Sequence, residues 1–161
     1  MRPAATISPA IVETLYEDAL LLAEEARLAF DCTREVAPLS EELCERRVAM
    51  SCEALRTTTR MMHAIAWLLN HRAYFAGELS EFQLRRHGRL PPPQGESDPA
   101  QLLLLDYRTR DVIERSRAFY ARVTRLDRAW RERFEMRPAA VHRLRERLDV
   151  AFSGLAVGAS R

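Results

Sequence analysis

Residues Leu55–Ser80 read LRTTTRMMHAIAWLLNHRAYFAGELS, the densest apolar part of a pattern that stays helical from Ser40 to Gly77. Along it Val48, Cys52, Leu55, Thr59, Met62, Ala66, Leu69, Ala73 and Ala76 recur at alternating steps of four and three. That spacing keeps one seam of a helix facing its neighbours in a bundle. At about 1.5 Å per residue the run makes a rod of about 57 Å. A rod this long needs equally long partners, from its own chain or from a second copy, so the stretch predicts a helical scaffold.

Upstream, Ser8 and Pro9 supply a capping hydroxyl and a first-position proline, a helix start that leaves residues 1–7 as an unstructured lead. Val12, Leu15, Tyr16, Ala19, Leu22, Ala23, Ala26 and Phe30 form the apolar face of this first helix, with Glu13, Glu17, Asp18, Glu24 and Glu25 opposite. Pro38 then breaks the pattern and Ser40 caps the long helix. The connection is short, which predicts antiparallel neighbours.

Downstream, Gly77 ends the long helix, and Ser80 with Gln83 forms a capping box that opens a short helix closing at Gly88. Residues 89–97, with Leu90, Pro91, Pro92 and Pro93, read as a mobile, semi-extended loop. Asp98 and Pro99 start a third long helix whose apolar positions run through Leu102, Leu105, Ile113, Tyr120, Val123, Trp130 and Phe134. Its apolar run Leu102–Leu105 is broader than one face and predicts burial on two sides. Pro138 stops that helix. Val141, Leu144, Leu148 and Phe152 mark a short amphipathic segment before a small, apolar tail.

The expected architecture is an all-α, antiparallel three-helix bundle. Its main helices occupy 8–32, 40–77 and 98–136 within a domain of residues 1–137, followed by a C-terminal amphipathic segment and flexible tail at 138–161. Composition agrees: 161 residues make one domain, and five Gly with 47% hydrophobic content and no strand-like alternation favour helices.

Charge is uneven along the chain. Residues 1–84 carry 8 Arg against 13 acids, a net of −5, and residues 85–161 carry 17 Arg against 10 acids, a net of +7. Such asymmetry can mark a nucleic-acid surface; the simpler reading is that Arg and acids alternate on solvent faces and pair. All 25 basic residues are Arg, which fits a genome-composition bias. Cys32, Cys44 and Cys52 lack metal-ligand spacing and read as reduced thiols of a cytoplasmic protein. No window reaches the apolar length of a membrane span.

The candidate interaction residues all lie on the long helix. Thr57, Thr58 and Thr59 are β-branched residues of mediocre helix propensity between Arg56 and Arg60. The preferred reading has their hydroxyls bonded back to carbonyls one turn earlier, letting helices approach closely; the sharper one is a polar notch for a partner's acidic group. Glu53 is within helical reach of Arg56. His63 and His71 are separated by about 80° around the helix, poor geometry for a shared metal ion. Trp67 and Tyr74 lie nearly on one line, a stripe that is either core or dimer surface. Arg56, Arg60, His63, Trp67, His71 and Tyr74 are therefore the candidate protein-interaction residues. No glycine-rich phosphate loop, Ser or Cys nucleophile motif, or Cys/His array is present, so neither enzyme activity nor a cofactor is expected.

The stretch LRTTTRMMHAIAWLLNHRAYFAGELS, together with Leu15, Tyr16, Glu17, Asp18, Ala19, Leu20 and Glu24, Glu25, Ala26, resembles the RcdA family, the regulators of CtrA degradation of alphaproteobacteria. The likeness covers roughly residues 11–84. It implies a dimeric three-helix bundle without an active site, an adaptor that brings regulatory proteins to the ClpXP protease in cell-cycle control. Implied partners are the response regulator CpdR, the cyclic-di-GMP effector PopA and transcription-regulator cargo. The alternatives are an Arg-rich bundle that associates with nucleic acid, or a structural dimer with no proteolytic role.

Overall fold

A computed structural model describes residues 7–31, 40–135 and 147. Its elements are α1 (Pro9–Asp31), α2 (Glu41–Phe75), α3 (Glu81–His87), α4 (Pro99–Leu103) and α5 (Tyr107–Glu135). Every regular element among the described residues is a helix.

Local chemistry sets the ends. The Ser8 hydroxyl accepts the Ile11 amide at 3.4 Å ahead of Pro9, and the Ser40 hydroxyl accepts the Leu43 amide at 3.3 Å, each relieving one amide that a first turn leaves without a partner. At the far end of α2, Gly77 adopts φ 80°, a conformation that costs a residue with a Cβ. The turn lets the Gly77 amide donate to the Tyr74 carbonyl at 3.0 Å and the Glu78 amide to the Ala73 carbonyl at 2.9 Å, the paired bonds of a Schellman motif. Ser80 and Gln83 complete the capping box of α3.

The third long helix differs from expectation. Instead of running unbroken from Asp98, the chain leaves helical geometry between Leu103 and Tyr107 and restarts. Asp106 causes the restart: its carboxylate accepts the Thr109 amide at 3.0 Å and the Thr109 hydroxyl at 2.7 Å, so it caps a new helix. The bond from the Thr109 hydroxyl is the chief reason that the Asp106 carboxyl lies below its ordinary pKa. The break also resolves the Leu102–Leu105 run, in which Leu105 is buried and Leu103 points into solvent at 75% exposure.

The three long helices α1, α2 and α5 each pack against the other two. Arg72 near the end of α2 bonds Glu13 near the start of α1 at 2.8 Å and lies over the Tyr16 ring, so α1 and α2 are antiparallel. Arg115 pairs with Glu25, while Val112 packs with Ala26 and Ala29, and α5 is antiparallel to α1. Between α2 and α5, however, Arg60 meets Ser116 and Trp67 meets Asp127. Those numbers rise together, so α2 and α5 run parallel, which corrects the expectation of a wholly antiparallel bundle.

The segment between them makes this possible. From the Trp130 level to the Ile113 level of α5 is about 26 Å of helix. Residues 88–98 are non-helical, and a run containing three prolines spans about 3.1 Å per residue, enough to carry the chain back. This stretch, expected to be mobile, is tied to α5 near both of its ends, while residues 92–96 between them are exposed. Leu90 and Ser97 are buried, the Tyr120 hydroxyl donates to the Pro91 carbonyl at 2.6 Å, and Arg117 Nη2 donates to Ser97 Oγ at 2.5 Å.

The main core joins Leu15, Ala19 and Leu22 of α1, Met61, Ala64 and Leu68 of α2, and Phe119, Tyr120 and Val123 of α5, with Leu84 and Leu90 closing one side. Ile7, expected in the unstructured lead, is buried in the same cluster. Apart from Arg147, the expected amphipathic segment near 141–152 lies outside the described residues, as do Cys32 and the tail.

Candidate interaction site

Two faces of α2 compete for the description of apolar seam. The buried set is Ala49, Met50, Glu53, Thr57, Arg60, Met61, Ala64, Trp67, Leu68 and His71. At about 100° per residue, its centre lies nearly opposite that of the Val48–Ala76 seam. The expected seam is accordingly on the outside: Val48 is 56% exposed, Leu55 70%, Met62 63% and Leu69 44%. This reverses the sequence expectation. Strict apolar spacing marks the outer stripe, whereas the inner stripe carries Glu53, Thr57, Arg60 and His71 among its apolar residues.

Glu53 and His71 find partners on α2 itself and Arg60 finds one on α5, while Thr57 has none among the described residues. Trp67 Nε1 donates to Asp127 Oδ1 at 3.0 Å, and Arg131 Nη2 donates to Asp127 Oδ2 at 2.5 Å. The His71 ring stacks on Trp67 with centroids 3.7 Å apart and meets the edge of Trp130 at 5.3 Å, and Tyr74 meets Trp130 at the same separation. His71 Nδ1 lies 2.9 Å from the Trp67 carbonyl. A carbonyl only accepts, so Nδ1 carries the hydrogen and Nε2 is the bare nitrogen. Burial pushes the His71 pKa down, opposed by the Trp67 carbonyl and the Asp127 charge.

The expected interaction residues are therefore split. Trp67 and His71 are core groups with 2% and 0% exposure, and Tyr74 packs partly buried against the same cluster. Arg60 is also inside, at 7% exposure, with Nη1 donating to Ser116 Oγ at 2.6 Å. Arg56 remains half-buried and clamps the fully buried Glu53, Nη1 to Oε1 at 2.6 Å. That confirms the reach expected of the pair. The hydroxyls of Thr57, Thr58 and Thr59 were expected to bond back along the helix; the buried Thr57 Oγ1 instead has no hydrogen-bond partner among the described residues. Thr57 is nonetheless fully buried, at 0% exposure.

His63 lies half-buried at the boundary of the two faces. No group of three or more His, Cys, Asp or Glu is placed to hold a metal among the described residues, and no described helix is long and apolar enough to cross a membrane.

The chemistry available to the outer stripe is apolar association. From Val48 to Leu69 it extends over about 32 Å of helix, with Cys52, Thr59 and Ala66 filling the turns between the large side chains. Exposed apolar residues scattered singly are ordinary, and it is large contiguous apolar patches that mark interaction sites. A family model described as Protein of unknown function (DUF1465) matches residues 4–152. No curated protein and no solved structure matches the chain.

Proposed function

The chain belongs to that DUF1465 family, and from this premise we propose that it is a non-enzymatic adaptor that dimerises through the outer stripe of α2. In this reading it is a three-helix-bundle scaffold of the cytoplasm that helps deliver regulatory proteins to the ClpXP protease. The observation that carries it is the aligned exposure of Val48, Leu55, Met62 and Leu69 on a helix whose other side is already packed. The resemblance of Leu55–Ser80 to RcdA supplies the proteolytic context and the partners CpdR, PopA and transcription-regulator cargo. Arg56 and His63, beside the stripe and partly exposed, remain candidates for polar contacts at its edge.

Two coupled measurements test this. Light scattering over a dilution series should give a dimer mass for the natural chain and a monomer mass for the Leu55→Glu, Met62→Glu double variant, with helical content unchanged. In a reconstituted ClpXP reaction containing CpdR and PopA, the natural chain should accelerate loss of cargo and the double variant should not. A natural chain that is monomeric at every concentration, or cargo loss indifferent to its presence, would sink the proposal.

A further inference from the structure

We propose that the chamber between α5 and the return segment is a binding site for a small oxyanion-bearing ligand, a phosphate ester or a carboxylate. The chamber has a volume of about 660 Å³ and is lined by Arg60, Arg117, Arg125, Tyr120, Thr124 and residues 93–97, with Leu102 and Pro99 at its edge. That is the size of ordinary metabolite pockets. Its rim, from Pro93 to Glu96, is exposed, whereas Arg60, Ser97 and Tyr120 in its wall are buried. A ligand can enter from solvent and meet charge at depth.

Arg60 decides the chemistry. It is a buried guanidinium with no carboxylate within ion-pair distance among the described residues. Among the described residues its one hydrogen bond goes to Ser116 Oγ, whose own hydrogen is donated to the Ile113 carbonyl at 2.7 Å. A neutral hydroxyl is weak compensation for a cation taken out of water. None of the Arg60 nitrogens is both sealed from solvent and without a partner, so its remaining donors keep access to solvent, and Arg60 lines the chamber. Burial, then the like charge of Arg117, lowers its pKa, and Glu53 pulls the other way.

The neighbouring charges point the same way. Arg117 is fixed by Ser97 and stands 3.7 Å from the exposed Glu114, and Arg125 has no ion pair among the described residues. Against three guanidinium groups the lining offers one carboxylate, Glu96 on the exposed rim. The Tyr120 hydroxyl hydrogen is already given to the Pro91 carbonyl, leaving the ring as an apolar wall. Arginine forks match phosphate and carboxylate oxygens in pairs. This site is independent of the adaptor reading and of the outer stripe of α2.

The test is thermal unfolding and calorimetric titration of the full chain with glycerol phosphate and, separately, succinate, against chloride at equal ionic strength. Either anion should raise Tm, and the one that does so assigns the ligand class. Arg125→Gln and Arg117→Gln should each weaken its binding by about tenfold or more, the scale of one charged hydrogen bond. Arg110→Gln, an exposed arginine outside the chamber, should leave it unchanged. Absence of protection by both anions, or equal weakening in Arg110→Gln, would overturn the site.

Discussion

The inward face of α2 carries Glu53, Thr57, Arg60, Trp67 and His71, whereas its outward face carries Val48, Leu55, Met62 and Leu69 into solvent. By hydropathy alone the two would be exchanged. They are not, because several of the inner polar groups find partners in the fold: the Trp67 indole with Asp127 and the Arg60 guanidinium with Ser116 across to α5, and one Glu53 carboxylate oxygen with Arg56 on α2 itself. Helix propensity and apolar periodicity describe single residues, and burial is settled by pairs. A helix with two usable faces shows that periodicity can locate a stripe without saying which side it is on.

The contrast is broken most strongly at Trp67. Truncation to Ala empties core volume and deprives Asp127 of a donor, so Trp67→Ala should cost about 3–5 kcal/mol, read as a fall in the urea midpoint at unchanged slope. A midpoint within error of the natural chain would mean that the inner face is not packed as described.

A smaller effect should appear with pH. Burial holds the His71 pKa below the ordinary 6.5, so below that pH the unfolded chain takes up a proton that the folded chain resists. Stability should therefore fall as pH drops from about 6.5 toward the lower folded-state pKa. The carboxylates whose pKa values are lowered, Glu24, Glu25 and Asp106, add their own loss only below about pH 4.5. Urea midpoints between pH 7.5 and 5.0 should decline in the natural chain and level off in His71→Phe, where ring stacking is kept and the proton site removed.

The smallest change belongs to the outer face. Leu55→Gln, measured at a concentration where the chain is monomeric, should move stability by no more than about 0.5 kcal/mol. A larger loss under those conditions would show that Leu55 is covered within one chain, erasing the distinction between the faces.

Much of the path was legible in the sequence. Ser8–Pro9, Ser40, Gly77, Ser80 with Gln83, and Asp98–Pro99 each mark a terminus that the structure uses, because caps act over three or four residues and need no distant partner. The break at Asp106 was hidden because Leu102–Leu105 carried the apolar pattern across it; an Asp followed three residues later by Thr109 was the available signal. The parallel course of α2 and α5 depends on contacts 56 and 60 residues apart, beyond the range of any local pattern. The Arg60 chamber was invisible for the same reason, since residues 93–97 and α5 close it from distant parts of the chain.

The parallel pairing has an electrostatic consequence. Each long helix concentrates partial negative charge at its last turn and positive charge at its first. With α2 and α5 pointing one way and α1 the other, two carbonyl ends and one amide end share the same pole of the bundle, leaving an excess of about half a negative charge. Arg72 lies in the last turn of α2, Arg85, Arg86 and His87 end α3 beside it, and Arg131 stands near the end of α5. Arginines from the second half of the sequence thus stand where the field that the topology itself creates favours a cation.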